Sequence, residues 1–530
     1  MKTRSFLLSA LAALMLAGCS EDAREDEIPG NVLVGKAYLS LSLQSRTSTL
    51  TRADVKTEDG SAAESAVNDV TVLLFDEDEV CLDVVNVPSG DITVGNSGGG
   101  TPPTTATASK AQLVPEKTKK VFVVLNSAKW TFTKEAVVGK AWSTINTAID
   151  DAVIGDVATA SKFMMASAGT KDKGALTPVT VHKPTTYTES AVQQAKNEAK
   201  ADPAIINVDR LSAKVQVSVK DPGFTKPTDS NFTFNGWELS VTNKSVRLYS
   251  DLVTYDNATP GAVYRRDKNY LESEQPDISD NNTKEANMDA AFNYLKNIDD
   301  VSKDMPAVAQ VDKASLYCLE NTMEAKAQQL GFTTKVVVKA QYTPAGITKD
   351  ASYFSWKGAY YTLAQLKAEY LKHPNNSGLK VDLPAFLIKA GVMSQAEFDQ
   401  GQSKRDEIVA NLSEGASADK LNAKTGIIGR FCAVRYYHAS VCYYDVLIRH
   451  DQNITTKMAL GRYGVVRNNW YNIELNSVSG PGTPWIPDPS DPDPTNPTPP
   501  DTDDDEADAY LSVKITINPW TYWTQGVDLH

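Results

Sequence analysis

Ser97 lies in Gly-Asn-Ser-Gly-Gly over 95–99, residue types that surround the nucleophile of one class of serine protease. An acyl-transfer serine needs a histidine to take its proton and an acid to orient that histidine. His182, His373, His438 and His450 stand in no supporting local motif, so a Gly/Ser turn between strands accounts better for 95–99. No His-Glu-x-x-His, Gly-x-Ser-x-Gly or phosphate loop with its lysine occurs. The Asp-rich stretch 488–506 lacks the turn glycine and closing glutamate of a calcium loop, and no Cys-x-x-Cys pair suggests zinc. Beyond Cys19 the cysteines are Cys81, Cys318, Cys432 and Cys442. Cys432 and Cys442 are spaced to face each other across a hairpin, but buried thiols are the favoured reading. Tyr436, Tyr437, Tyr443 and Tyr444 read as packing residues before they read as a sugar-stacking platform. The chain is therefore expected to be non-enzymatic, with no cofactor and no metal.

The remaining chemistry is acylation and proteolysis. Lys2 and Arg4 precede an apolar run from Phe6 to Leu16, too short to span a bilayer. The run closes on Leu16-Ala17-Gly18-Cys19 and reads as a signal peptide over 1–18. Leu-Ala-Gly-Cys resembles the bacterial lipobox, which makes Cys19 the expected lipidation site. The acidic residues up to Glu27 resemble the export tag of Bacteroidota surface lipoproteins. Further on, Arg46 and Arg52 lie among small polar residues in LQSRTSTLTRAD, a loop suited to a trypsin-like protease. Cleavage after Arg52, or alternatively Arg46, would detach the lipid together with strand 37–43.

Those residues need a scaffold, and strand signals dominate the chain. With 530 residues, 41% of them hydrophobic, the protein can build two domains with real cores. A net charge of −13 argues against nucleic acid as a partner. Val70–Leu74 and Val121–Leu125 are apolar runs, the second expected to be buried on both faces. Leu211, Ala213, Val215, Val217 and Val219 alternate with polar residues, the signature of a half-buried strand. Asp221-Pro222-Gly223 then breaks the pattern, and the domain boundary is placed there. Trp237–Val246, Val336–Tyr342, Phe431–His450 and Tyr463–Leu475 also read as strands. Helices are expected over Lys134–Asp150, on the face carrying Leu363, Leu366 and Tyr370, and over Phe386–Leu412 with a break near Gly391.

From Pro481 to Glu506 the chain becomes rich in Pro and Asp, a spacer with nothing to bury. A strand pattern comes next. Residues 37–43 read AYLSLSL and residues 509–515 read AYLSVKI. Leu39, Leu41 and Leu43 alternate with serines, and Leu511, Val513, Ile515 and Ile517 repeat the period. Each segment is expected to be an apolar-in, polar-out strand, and similar side chains at one period can fill one groove. Pro519 is expected to end the second strand, with Trp520 and Trp523 as anchors.

The order of these features resembles the Bacteroidales type V pilus (fimbrilin) family, in particular its shaft subunits. The resemblance rests on the lipobox, on Arg52-Ala53 and on VNDVTVLLFD at 67–76. It continues with KTKKVFVVLN at 117–126, VDRLSAKVQVSV at 208–219 and YYDVLIRH at 443–450. It ends with GVVRNNWYNIELNSV at 464–478, the spacer and VKITINPWTYWTQGVDL at 513–529, while 350–425 is the least matched stretch. It implies an all-β fold with helical insertions, two tandem transthyretin-like β-sandwich domains and a C-terminal donor strand. The implied division is a lipidated propeptide over 19–52, sandwiches over 53–222 and 223–480, a spacer over 481–506 and the donor strand over 507–530. The implied life history is export to the outer membrane, removal of Leu39, Leu41 and Leu43 with the leader by an arginine-specific protease, and head-to-tail polymerisation. The implied partners are copies of the chain itself, anchor and tip subunits, and that protease. The alternative is a monomeric surface lipoprotein that binds glycans or nutrients.

Overall fold

The computed structural model describes residues 33–45, most of 58–488, and 511–521. Within the middle span the longer stretches left out are 95–104, 256–263, 297–313, 414–420 and 422–431. Among the described residues the chain is mostly strand, and two large sheets organise it.

The first is nine-stranded. Its order runs Cys81–Pro88, Asp69–Phe75, Lys120–Leu125, Met165–Ser167, Ala204–Arg210, Leu41–Ser45, Thr105–Ala108 and Ile92–Val94, with Thr177–Pro178 paired off this path. The central strands are buried on both faces, which is why they read as unbroken apolar runs. Val121, Val123 and Leu125 enter one core with Val70, Val72 and Leu74. Phe122 and Val124 enter a second with Leu73, Phe75 and Trp142.

The second sheet has five strands, ordered Ser315–Leu319, Ser212–Val219, Asn469–Val478, Leu511–Thr521 and Glu58–Asp59. It packs face to face on a three-stranded sheet of Asn231–Ser240, Lys335–Thr343 and Val441–Leu447. Val215, Val217, Ile473 and Leu475 meet Trp237, Val338, Tyr342 and Tyr444 between them, a sandwich built by period-2 alternation. The chain crosses from the first large sheet to the second at Leu211, between Arg210 and Ser212. That lies ahead of the expected boundary at 222/223, because the alternating strand 212–219 already belongs to the second sandwich.

Several local expectations change. Lys134–Asp150 is not one helix: short turns at Lys134–Val137 and Trp142–Ile145 are separated by Gly139 at φ +80°. Phe386–Leu412 is divided among helices Leu379–Lys389, Gln395–Asp399 and Gln402–Ala410, and Gly391 at φ +67° makes the expected break. The spacer begins later than 481. Trp485 and Ile486 are buried, and Thr483 exchanges backbone hydrogen bonds of 2.8 and 2.9 Å with Tyr443. Two large apolar side chains supply what the rest of the spacer lacks. A helix at Glu189–Ala201 is an addition that the strand pattern does not announce. Among the described residues, no helix is long and apolar enough to cross a membrane.

Candidate functional site

Of the two leading strands, Leu41–Ser45 occupies an interior place in the first sheet, and Lys36–Leu39 forms a separate two-stranded sheet beside it. Lys36–Leu39 pairs antiparallel with Gln112–Pro115, setting Tyr38 opposite Leu113. On its other edge Tyr38 exchanges two 2.8 Å backbone hydrogen bonds with His182. Leu41–Ser45 runs parallel to Ala204–Arg210 and antiparallel to Thr105–Ala108, so Leu43 faces Ile206 on one side and Ala106 on the other. Leu39, Leu41 and Leu43 are at most 5% exposed and close the core formed by Val70, Val123, Ile206 and Val208. Their burial is worth roughly 1.5–3 kcal/mol each.

The other face is not polar-out. Ser40 and Ser42 are 1% and 6% exposed. Helix Glu189–Ala201 lies over the first leading strand, with Ala195 and Ala199 packed on Tyr38. Alanines at this i, i+4 spacing present a flat face to the strand. The helix was readable from its run of strong helix formers ahead of Asp202-Pro203. Without that helix to cover them, the small serines read as solvent-facing.

The tail strand sits elsewhere. Leu511–Thr521 pairs antiparallel with Asn469–Val478 of the same chain, with a register shift at Leu475/Ser477. Among the described residues its outer edge is covered at Trp520 and Thr521, which run parallel to Glu58 and Asp59. Pro519 does not end the strand. It lies within it opposite Asn469, a position an edge strand tolerates because its outward side needs no N–H donor. Cys19, Arg46, Arg52 and Trp523 fall outside the described residues. So do Ser97 and nearly all of 488–506. For Leu511, Val513, Ile515, Ile517 and Trp520 the backbone pairing is described.

The residues weighed for other chemistry are structural. Tyr436, Tyr437, Tyr443 and Tyr444 are all 8% exposed or less. Tyr437 stacks on Tyr353 with ring centroids 4.6 Å apart, and Tyr444 donates to the Gly480 carbonyl at 2.9 Å. His450 is buried and shares a 2.9 Å hydrogen bond with the Tyr471 hydroxyl. Burial pushes the His438 imidazole below its usual range. None of Cys81, Cys318, Cys432 and Cys442 is in a disulfide, and all are buried. Cys442 and Cys432 lie in different cores, which rules out the facing pair their spacing allowed. Among the described residues no His/Cys/Asp/Glu cluster could hold a metal ion.

A polar seam ties the two halves together, with no counterpart in the sequence pattern. The Arg265 guanidinium meets Asp209 at 2.7 Å and the Arg467 guanidinium meets Glu320 at 3.0 Å, with all four side chains buried. Ser250 is shared between them: its carbonyl accepts from Arg265 at 2.7 Å, and its hydroxyl accepts from Arg467 at 2.6 Å.

The chain has relatives among known proteins. Residues 435–526 match the family model for the major fimbrial subunit protein type IV, fimbrillin, C-terminal region. No curated protein sequence matches the chain. Among solved structures, a "putative cell adhesion protein" of Parabacteroides distasonis aligns at 16% identity and TM-score 0.41, over 92% of this chain and 100% of its own. The tip fimbrial protein Mfa3 of Porphyromonas gingivalis, with a C-terminal truncation, aligns at 11% identity and TM-score 0.31, over 92% and 100%. The fimbrial anchor protein Mfa2 of the same organism aligns at 12% identity and TM-score 0.22, over 65% and 87%. The stretch matched to the fimbrillin C-terminal family model, 435–526, runs from the buried tyrosines of the second sandwich to beyond the tail strand.

Proposed function

We propose that the chain is a shaft subunit of a fimbrium that supports adhesion, aggregation or biofilm formation. It is exported as a lipoprotein acylated at Cys19. An arginine-specific protease cuts after Arg52, or after Arg46, and releases the leading strands. The tail strand of a neighbouring copy then enters the vacated place. Anchor and tip subunits terminate the polymer, and possession of both a removable leader and a tethered tail favours the shaft position.

One observation carries this reading. The leading strands are paired along both edges and buried on both faces, whereas the tail strand is paired along one edge for most of its length. Removing an interior strand leaves unpaired backbone on both sides and an open apolar core, a costly state. A strand moving from a one-sided place to a two-sided one gains a second ladder. Burying Leu511, Val513, Ile515 and Ile517 would contribute about 6–12 kcal/mol before ordering costs. Because donor and acceptor are different surfaces, the contact propagates as a fibre.

The test is to treat the purified protein with trypsin and resolve it on a denaturing gel without boiling. A ladder of multimers is expected, lost on deletion of residues 507–530. No ladder, or one indifferent to that deletion, ends the proposal. Replacing Arg52 by Ala, then Arg46, identifies the cut; if neither change blocks maturation, the cleavage assignment is wrong.

A further inference from the structure

The two echoed segments are identical at Ala-Tyr-Leu-Ser, 37–40 and 509–512, and diverge afterwards. In the leading strand those four positions are enclosed: Ala37 is 0% exposed, Tyr38 2%, Leu39 1% and Ser40 1%. Ser42, aligned with Lys514, is 6% exposed, and Ile205, its partner in the neighbouring strand, is 58% exposed. A lysine stem can run out to water there. Leu41, aligned with Val513, is as enclosed as Tyr38 at 2%, so the identical run lies inside the buried stretch, and the one change to a charged residue, Ser42 to Lys514, falls beside an exposed neighbour.

The Tyr38 ring fills a pocket made by Ala195 and Ala199 of helix Glu189–Ala201, with Val192, Ala111 and Leu113 at its sides. The Lys196 ammonium lies 5.7 Å from the ring centroid. The Tyr38 hydroxyl is buried with no hydrogen-bond partner, and burial raises its pKa. The pocket therefore selects the ring and not the hydroxyl. Among the enclosed positions it is the one that takes a large side chain on the helix side, the others on that face being serine. A strand entering two residues out of register would keep its faces but set Ser512 or Asp508 where Tyr38 sits and Lys514 or Tyr510 where Ser40 sits.

We propose that Tyr510 of the incoming tail is the register key of strand exchange. It occupies the pocket left by Tyr38, so that Ala509–Ser512 of one copy take the places of Ala37–Ser40 in the next. The claim rests on the strand-exchange reading above and specifies which residue fixes its alignment. The tail would then run in the leader's own direction, placing Tyr510 opposite Leu113 of the acceptor. Tyr38 exchanges both backbone hydrogen bonds with His182, so its pairing with Leu113 is of the non-hydrogen-bonded kind, whose close Cα spacing suits a disulfide.

The experiment uses full-length protein cut by trypsin. Tyr510→Phe should ladder like the parent, and Tyr510→Ala should lower multimer yield about tenfold or more, the effect of withdrawing a buried aromatic anchor. Tyr510→Cys combined with Leu113→Cys should give subunit-to-subunit disulfides that neither single cysteine gives. Uncut protein of each variant should melt like the parent. If the parent ladders but Tyr510→Ala ladders equally and the cysteine pair does not link subunits, the register assignment is overturned and strand exchange stands. If the parent itself does not ladder, both fall.

Discussion

The Tyr317 hydroxyl donates a 2.6 Å hydrogen bond to the Glu64 carboxylate, joining residues 253 apart in the chain. The Lys214 ammonium reaches the same oxygen at 2.9 Å, and the other oxygen accepts from the Ser61 amide at 2.6 Å. Glu64 is 3% exposed. It sits in the short helix Ala62–Ser65, capped by Ser61, soon after Arg46 and Arg52 in the sequence. Tyr317 and Lys214 belong to the five-stranded sheet. The segment that follows the proposed cleavage positions is thus pinned to the second half of the molecule.

Glu64→Gln should therefore destabilise the protein by about 3–5 kcal/mol, the cost of breaking one side of a buried ion pair. Burial alone would raise the Glu64 pKa. The hydrogen bonds from Tyr317, Lys214 and Ser61, with the Lys214 charge, outweigh it and hold the carboxyl below its usual range. A carboxylate with a depressed folded-state pKa contributes stability above its unfolded value, about 4.3, and loses it as pH falls through the folded value. Denaturant melts from pH 7 down to pH 3 should show that acid loss in the parent and a shallower one in Glu64→Gln. Equal slopes would remove Glu64 as the cause.

Leu41→Ala should act on one assembly state only. Leu41 is 2% exposed in the leader's core, so truncation should cost the uncut protein about 2–5 kcal/mol. The proposed strand exchange removes the leader from assembled fibres, so their dissociation rate should equal the parent's. A fibre weakened by Leu41→Ala would mean the leader is still in place.

The seam between the halves gives a paired test. Arg265→Met leaves Asp209 buried without its ion pair. A loss of about 3–5 kcal/mol is expected by thermal or urea unfolding. Replacing both partners, Arg265→Met with Asp209→Leu, should recover most of it. A double variant as unstable as the single would show that the seam works through shape and not through charge pairing.

Asp267 predicts a second pH dependence of opposite sign. Burial first, and the Glu320 charge second, push its carboxyl up to about 8. The folded state then binds a proton that the unfolded state has released, so its contribution to stability is lost as pH rises from about 4 towards 8. Asp267→Asn should flatten that neutral-range slope, whatever it does to the absolute melting point. A slope unchanged between pH 5 and 8 would assign it elsewhere.

What could be read in the sequence was the alternation of single strands. Val215 and Val217 declared their face by alternation, and Val70–Leu74 and Val121–Leu125 declared burial on both faces by their apolar runs. What could not be read depends on a second element. Ser40 looked exposed because nothing in the strand itself announces the helix at 189–201 that covers it. Glu64 looked like any surface acid because Lys214 and Tyr317 come from far along the chain. The tail's resting place on Asn469–Val478 depends likewise on a second strand, which the tail's own alternation does not name.

The stretch 357–433 lies outside the residues matched by the family model and carries a core of its own, and it should be removable. Tyr353–Trp356 and Val434–Tyr437 form an antiparallel pair in which Trp356 faces Val434. Tyr353 and Tyr437 reach into the main sandwich core. Phe354, Trp356, Val434 and Tyr436 instead join a separate core with Leu366, Tyr370, Leu383, Phe386 and Leu387 of the helices between them. That core has its own polar tie, in which Asp406 accepts from Tyr370 at 2.9 Å and from Gln402 at 2.7 Å and pairs with Lys380 at 3.3 Å. Replacing 357–433 by Asn-Gly should close the pair as a two-residue hairpin. Phe354→Thr, Trp356→Thr and Tyr436→Thr would keep the uncovered face soluble. The shortened protein should stay within about 2 kcal/mol of the parent in urea and still form the trypsin-induced ladder. If it folds but no longer ladders, the helical insertion takes part in the contact between subunits. If it fails to fold, the two cores are one cooperative unit.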